Sequence, residues 1–328
     1  MRQRGPAPRW LELEVRAPVA VQEAVIDRIM ACGSVGVQEE YPGVGFVGDA
    51  GRLLSGDPLE WDGAAIPNPA DTVVLRAWFR AAGALSRQVR REVEAAIEGL
   101  LAGIGPVWRT VSSRDFDQEV RREWKAIPIG RRFWVRPAWS RATPPRGRVV
   151  LKLRPGMAFG TGTHFTTASC LEMVEEFLTA AANPSAIRVL DVGTGSGILA
   201  IGALLLGARE ALGVDLDEDA VREARDNARL NRVADRFQVR SERLTASLRP
   251  AFDLVLANLV APSIVAMADI LAGSVARGGR LVVSGILVEQ ARDVEDALQR
   301  RGLTRAALRR NDTWVTSAWD SSATVARA

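Results

Sequence analysis

The stretch Arg188-Val-Leu-Asp191-Val-Gly193-Thr-Gly195-Ser-Gly197-Ile198-Leu-Ala-Ile-Gly-Ala-Leu-Leu-Leu-Gly-Ala208 opens as an apolar run ending near an acid. It then passes through three alternate glycines and resumes as an apolar run of helical length. A strand with no polar face belongs in a sheet covered on both sides. Glycine allows a tight turn and close backbone approach to a ligand. A dinucleotide fingerprint has the spacing GxGxxG, its third glycine serving close helix–strand packing. Here the spacing is GxGxG and Ile198 occupies that third position. The loop therefore suits a ligand without a pyrophosphate.

Twenty-two residues beyond Gly193, Asp215 ends the next apolar strand. That is close to the spacing of about 20 at which a carboxylate grips ribose hydroxyls. S-adenosylmethionine, with a ribose, an adenine and an amino acid but no pyrophosphate, fits both features. Asp191 stands where it could meet the ligand's ammonium, directly or through water, while Asp217 reads as the N-cap of the following helix. The alternative for Asp191 and Asp215 is a carboxylate satisfied locally at a strand end. Asn258 closes the strand Phe252-Asp-Leu-Val-Leu-Ala-Asn258, and open α/β sheets bind ligands at such C-terminal strand ends. Its amide oxygen could face an attacking nitrogen, or its side chain could tie down the turn.

A strand–helix rhythm surrounds these motifs. Strands are expected at 149–153, 188–192, 211–215, 238–240, 253–257, 280–284 and, as an added antiparallel edge, 313–319. Helices are expected at 166–178, 197–206, 218–231, 262–272 and 287–301. This implies a doubly wound, mostly parallel, seven-stranded α/β sheet. The first third has a smaller rhythm: strand 10–15, helix 19–30 stopped by Gly33, strands 34–38 and 72–79, helix 86–101 capped by Ser86, and strand 107–112. That is the β-α-β-β-α-β order of a ferredoxin-like α+β unit. Gly43-Val-Gly-Phe-Val-Gly48 matches GxGxxG but precedes no helical sequence, so it reads as a loop between strands. The expected division is 1–113 as one domain, 114–147 as a charged and Pro/Gly/Arg-rich linker, and 148–328 as the second domain.

Composition narrows the partners. The chain has 328 residues, 47% of them hydrophobic and 25% charged, a globular balance. Its formal charge is +4, yet only Lys125 and Lys152 of its 43 cations are lysines, and the arginines are interspersed with acids. Such scatter argues against a dedicated nucleic-acid surface, which needs cations clustered on one face. Cys32 and Cys170 are isolated and His164 is the only histidine, so neither a disulfide framework nor a metal site is expected. No signal peptide or apolar run of membrane-spanning length is visible, and a cytoplasmic location is expected.

Several stretches together resemble one family: "RPGMAFGTGTHFTT" (154–167), "DVGTGSGILAIGALLLGA" (191–208), "GVDLDEDAVREARDNARLN" (213–231), "ANLVAPSI" (257–264) and "GRLVVSGILVEQ" (279–290). The family is PrmA, methyltransferases of large-subunit ribosomal protein eleven. Glu123-Trp-Lys125 and "RRFWVRPAW" (131–139) are similar to its linker, and the small N-terminal unit is similar to its substrate-recognition domain. The resemblance implies a class I, Rossmann-like methyltransferase with S-adenosylmethionine as cofactor. It implies cofactor contacts at Thr167, Gly193, Asp215 and Asn258, with Gly195 and Asp191 in the same loop. His164, Thr166 and Asn258 would border methyl transfer. It also implies that the loop before His164 lies over the cofactor, and that the substrate is a ribosomal protein methylated on lysine and N-terminal amines. Phe165 stands where the family commonly has proline, Thr194 where it commonly has cysteine, and the segment after Trp124 is shorter than the usual linker. Two other readings stand beside this one: methylation of another protein's lysines or of a small molecule by the same core, and a non-catalytic ribosome- or RNA-associated factor.

Overall fold

In a computed structural model of the chain, the described residues are 9–18, 21–34, 37–41, 45–46, 72–80, 84–101, 105–112, 125–154, 164–244 and 252–321. They fall in two compact units, Met1–Lys125 and Ala126–Ala328.

In the first unit, β1 (Arg9–Pro18), β2 (Val37–Tyr41), β3 (Gly45–Phe46), β4 (Thr72–Arg80) and β5 (Val107–Ser112) form one antiparallel sheet ordered β3-β2-β4-β1-β5. With the short β3 set aside, this is the ferredoxin-like arrangement expected of the strand–helix order. Alternation in β1 sends Leu11, Leu13, Val15 and Ala17 into a core. Val25 and Ile29 of α1 (Gln22–Ala31) and Val89, Val93 and Ile97 of α2 (Ala84–Ile97) complete it. Helix α2 starts two residues before Ser86, so Ser86 lies inside its first turn and is not the N-cap that the sequence suggested. Of the glycine run 43–48, Gly45–Phe46 is β3 and the rest lies outside the described residues.

The second unit contains two sheets. In the smaller, β7 (Phe133–Pro137) pairs antiparallel with β6 (Ile127–Ile129) and parallel with β8 (Val149–Leu153). Two corrections follow. Strand 149–153 does not join the large sheet, and the segment read as linker carries β6 and β7. Phe133, Val135, Ile127 and Ile129 are buried, because alternate residues of these strands face helices of the large unit. The Phe133 ring sits where a Cβ on Gly202 would come within 3.3 Å.

The large sheet has the order β11-β10-β9-β12-β13-β15-β14. Its strands are β9 (Arg188–Val192), β10 (Glu210–Asp215), β11 (Phe237–Ser241), β12 (Phe252–Asn258), β13 (Val275–Leu287), β14 (Leu303–Arg310) and β15 (Trp314–Ser321). The first five run parallel, and β15 is antiparallel to both β13 and β14. The expected count of seven holds with a changed membership: β14 replaces β8, and β15 lies inside the edge that β14 forms. Helices α3 (Phe165–Ala180), α4 (Ile198–Leu205) and α5 (Glu218–Leu230) pack in one layer. Helices α6 (Ala261–Ala266), α7 (Ala268–Ser274) and α8 (Ala291–Gln299) form another. Pleating assigns the faces. Leu190 and Val192 point into the core with α6, α7 and α8, whereas Asp191 between them reaches α4. Because β9 is flanked by β10 and β12, the chain reverses its winding there and opens a crevice at the C-terminal strand ends.

Candidate active site

Gly193, Gly195 and Gly197 have φ of 69°, 53° and 80°, a left-handed backbone that side chains rarely adopt. The Gly193 and Thr194 amides donate to Val214 O at 2.9 and 3.1 Å, pinning the loop to β10. Gly195 N donates to Asp215 Oδ2 at 2.9 Å and Asp217 N to Asp215 Oδ1 at 3.0 Å. Each carboxylate oxygen of Asp215 thus accepts one backbone bond and keeps lone-pair capacity for a second donor. Asp217 caps α5, its Oδ1 accepting from Asp219 N at 2.8 Å, as the sequence suggested. Leu216 between them is 65% exposed at the rim.

Asp191 is buried. Its Oδ2 accepts from Thr194 Oγ1 at 2.8 Å and from Ala200 N at 3.2 Å, so it braces the loop against α4. Burial pushes its pKa up to about 6. Hydrogen bonds from Thr194 and Ala200 oppose the rise, and the nearby Asp215 charge adds to it. Thr194, at the position where cysteine is common in the resembled family, supplies the hydroxyl for this brace.

The second cluster lies at the N-terminus of α3. His164 is the N-cap: its Nδ1 accepts from Thr166 N at 3.3 Å and lies 2.6 Å from Thr166 Oγ1. The ring stands edge-on to Trp314 of β15, with centroids 5.2 Å apart. Asn258 Nδ2 lies 3.4 Å from both Thr166 Oγ1 and Thr167 Oγ1, joining β12 to α3. A Cβ on Gly285 would lie 3.2 Å from Asn258 Oδ1 and 2.6 Å from Leu259 O, so only a glycine fits against these two neighbouring oxygens. Leu259 also bridges the clusters, because a Cβ on Gly193 would strike its Cδ2.

Every site residue expected from the sequence therefore falls at the C-terminal ends of β9, β10 and β12 or at the adjoining tip of α3. Asp215 and Gly193 lie on one side of the crevice and Asn258, His164, Thr166 and Thr167 on the other. Of "GTGTHFTT", residues 160–163 lie outside the described residues. Sequence reasoning passed over the bond from Thr194 to Asp191 and the packing of Gly285 against Leu259 O. A backbone acceptor has no sequence signal, and Gly285 is marked only by its place after a strand. Among the described residues no group of three or more His, Cys, Asp or Glu could hold a metal ion.

A sheet wound β11-β10-β9-β12-β13-β15-β14, with a glycine loop after its first strand and an acid closing its second, is that of a class I methyltransferase. The profile of the family described as "Ribosomal protein L11 methyltransferase (PrmA)" matches residues 9–320, and the chain belongs to that family. Relatives named ribosomal protein L11 methyltransferase from Pelotomaculum thermopropionicum and Geobacter sulfurreducens are 37% and 38% identical. Each alignment covers 93% of this chain, with 97% and 96% of the relative. A crystal structure of ribosomal protein L11 methylase from Lactobacillus delbrueckii subsp. bulgaricus is 30% identical. It aligns with a TM-score of 0.56 over 61% of this chain and 100% of that one.

Proposed function

We propose that this methyltransferase transfers methyl groups from S-adenosylmethionine to lysine side-chain amines, and to an N-terminal amine, of a large-subunit ribosomal protein. The observation that carries the chemistry is the pair of neighbouring oxygens, Asn258 Oδ1 and Leu259 O, at the end of β12 beside a loop whose Gly195 amide is held by Asp215. The ribosomal target is supported by the names of the relatives.

The residues fit the cofactor. Asp215 keeps an acceptor site on each oxygen for the ribose hydroxyls, and the bare backbone at Gly193 and Gly195 admits a ligand that side chains would exclude. Thr167 closes the far side, and Asp191 acts on the ligand's ammonium directly or through the loop that it braces. When bound, the cofactor supplies an electrophilic methyl group on a sulfonium. The chain's own task is to present a neutral amine. A free lysine has a pKa near 10.4, so at pH 7 only about one in 10³ is unprotonated. Asn258 Oδ1 and Leu259 O would accept the amine's two N–H groups and aim its lone pair into the crevice. They are neutral acceptors, so they orient the amine without the charge that would hold it protonated. Alignment of this kind is worth about 7 to 11 kcal/mol of barrier.

The N-terminal unit, 1–113 in the sequence division, is the proposed reader of the protein substrate. The scattered basicity is consistent with no dedicated nucleic-acid surface. Among the described residues several arginines pair with acids, as in Arg280–Asp320, Arg301–Asp269 and Arg309–Glu172. No helix among the described residues is long and apolar enough to cross a membrane, and Cys32 and Cys170 are free thiols, which suits a cytoplasmic enzyme.

The test is mass spectrometry of ribosomal proteins from cells with and without this gene, backed by methylation of the purified substrate. Methyl groups lost from lysines of one large-subunit protein, and restored by the parent but not by Asn258→Ala, are expected. Methylation of other proteins only, or salt-sensitive RNA binding without turnover, would overturn the proposal.

A further inference from the structure

Helix α5 contains a buried amide that plays no part in the chemistry above. Asn227 has no exposed surface. Its Oδ1 accepts from Arg154 N at 2.9 Å, just beyond β8, and its Nδ2 donates to Ser196 O at 3.0 Å, inside the GxGxG loop. One turn later Asn231 uses its whole amide on β8, accepting from Lys152 N at 2.8 Å and donating to Lys152 O at 2.6 Å. The two residues are tied to each other, Asn231 Nδ2 also donating to Asn227 O at 2.8 Å. Asn231 is the C-cap of the helix that carries Asn227, both bind the end of β8 or the residue just beyond it, and only Asn227 reaches the loop.

The bond to Ser196 O bears on one peptide plane. Its carbonyl is held by Asn227, and its N–H, that of Gly197, donates to Thr194 O at 2.8 Å. Gly195 and Gly197, on either side of Ser196, are in left-handed conformations, where the backbone rearranges with little steric opposition. The Gly197 bond closes the turn Thr194–Gly197, and that turn carries the Gly195 N–H that donates to Asp215 Oδ2.

We infer that Asn227 is a positioning residue for the cofactor loop, locking the Ser196–Gly197 peptide so that the Gly195 amide and Asp215 hold the geometry that receives the ligand. This rests on the reading of that loop as the cofactor site. Its effect belongs to ground-state binding and not to the methyl-transfer step, because Asn227 touches neither α3 nor Asn258 through any bond above.

The full-length protein carrying Asn227→Ala is compared with Asn231→Ala, using S-adenosylhomocysteine as the calorimetric probe. Both substitutions lower the melting temperature by loosening β8. Asn227→Ala raises Kd for the probe, and KM for S-adenosylmethionine, about tenfold, while kcat at saturation stays within about twofold of the parent. Asn231→Ala leaves Kd within about twofold. If Asn227→Ala does not fold, Asn227→Ser, whose shorter side chain does not span from Arg154 N to Ser196 O, decides the matter with the same rise in Kd of about tenfold and a kcat within about twofold of the parent. Equal Kd for the two alanine variants, or a parent-like Kd in the folded Asn227 variant, overturns the inference. A parent protein that does not bind the probe at all overturns the cofactor reading itself, a distinct result.

Discussion

Asp191 carries an electrostatic cost that its two hydrogen bonds only partly offset. Its pKa is raised to about 6 chiefly by burial, so the folded state binds its proton more tightly than the unfolded chain does. The stabilising contribution is fully present below the ordinary aspartate range and is lost as pH rises through about 6, a span worth about 3 kcal/mol. Asp191→Asn keeps an oxygen for Thr194 and Ala200 and removes the charge. Denaturant melts should show the parent losing stability from about pH 4 to 6 and the variant lacking that fall. The variant should be at least as stable as the parent at pH 7.5. Parallel pH profiles for the two proteins would refute the assignment. Calorimetry on the same variant separates a direct ammonium contact, which weakens S-adenosylmethionine binding, from a brace, which does not. His164 invites a similar separation. As the N-cap of α3 its loss to alanine costs about 1 kcal/mol, whereas His164→Asn retains a capping acceptor. If the ring borders the reacting amine, His164→Asn should melt near the parent temperature yet turn over at least about tenfold more slowly, roughly 1.4 kcal/mol of barrier. Parent-like turnover would leave His164 a cap alone.

The element that the sequence displays most openly is the turn from β9 into α4, because apolar runs and alternate glycines are local signals of burial and of left-handed backbone. Gly197 shows what that spacing protects. A Cβ there would meet Phe237 Cε1 at 3.0 Å and Ala224 Cβ at 3.1 Å, on a residue with φ of 80°. Gly197→Ala should therefore cost about 1 to 3 kcal/mol of stability, read in a thermal melt. A change below about 0.5 kcal/mol, the usual bound for a surface substitution, would contradict that geometry. Other elements were less legible. Strand β14, "LTRAALRR", lacks strict alternation, and it lies at the sheet edge where exposed arginines are tolerated. Arg309 there pairs with Glu172 and Glu176 of α3, contacts between residues far apart in sequence. Strand β8 has the composition of a core strand, and only its partners Phe133–Pro137 and the amides of Asn227 and Asn231 reveal that it belongs elsewhere. In sequence those asparagines look like part of a solvated helix face. The candidate site was readable at its glycines, acids and α3 tip. It was unreadable where the geometry depends on a backbone carbonyl and a missing Cβ, as at Leu259 and Gly285.

At the scale of the whole molecule, the division of labour between the two units can be tested by where the chain is cut. The division expected from the sequence, with a linker at 114–147, would let a catalytic fragment begin near Pro144, inside the proline-rich stretch. The packing of the second unit argues for an earlier start. Phe133 and Val135 of β7 and Ile127 and Ile129 of β6 are buried, and Glu175 of α3 accepts from Arg131 N and Arg132 N at 3.1 and 3.0 Å. A fragment starting at Pro144 loses these residues, leaving the Glu175 carboxylate without its donors and a cavity beside Gly202. Removing one large buried side chain typically costs about 2 to 5 kcal/mol, and several are lost together, against a total stability of about 5 to 15 kcal/mol. The fragment from Ala126 keeps them all. It should melt cooperatively and bind S-adenosylmethionine within about threefold of the full chain, a difference under about 1 kcal/mol, whereas the fragment from Pro144 should be unfolded or aggregated. If the first unit is the reader of the protein substrate, the Ala126 fragment should also lose methylation of the intact substrate while retaining the cofactor. Full activity of that fragment on the intact substrate would move recognition into the second unit, and failure of a folded fragment to bind cofactor would show that the crevice is incomplete without the first.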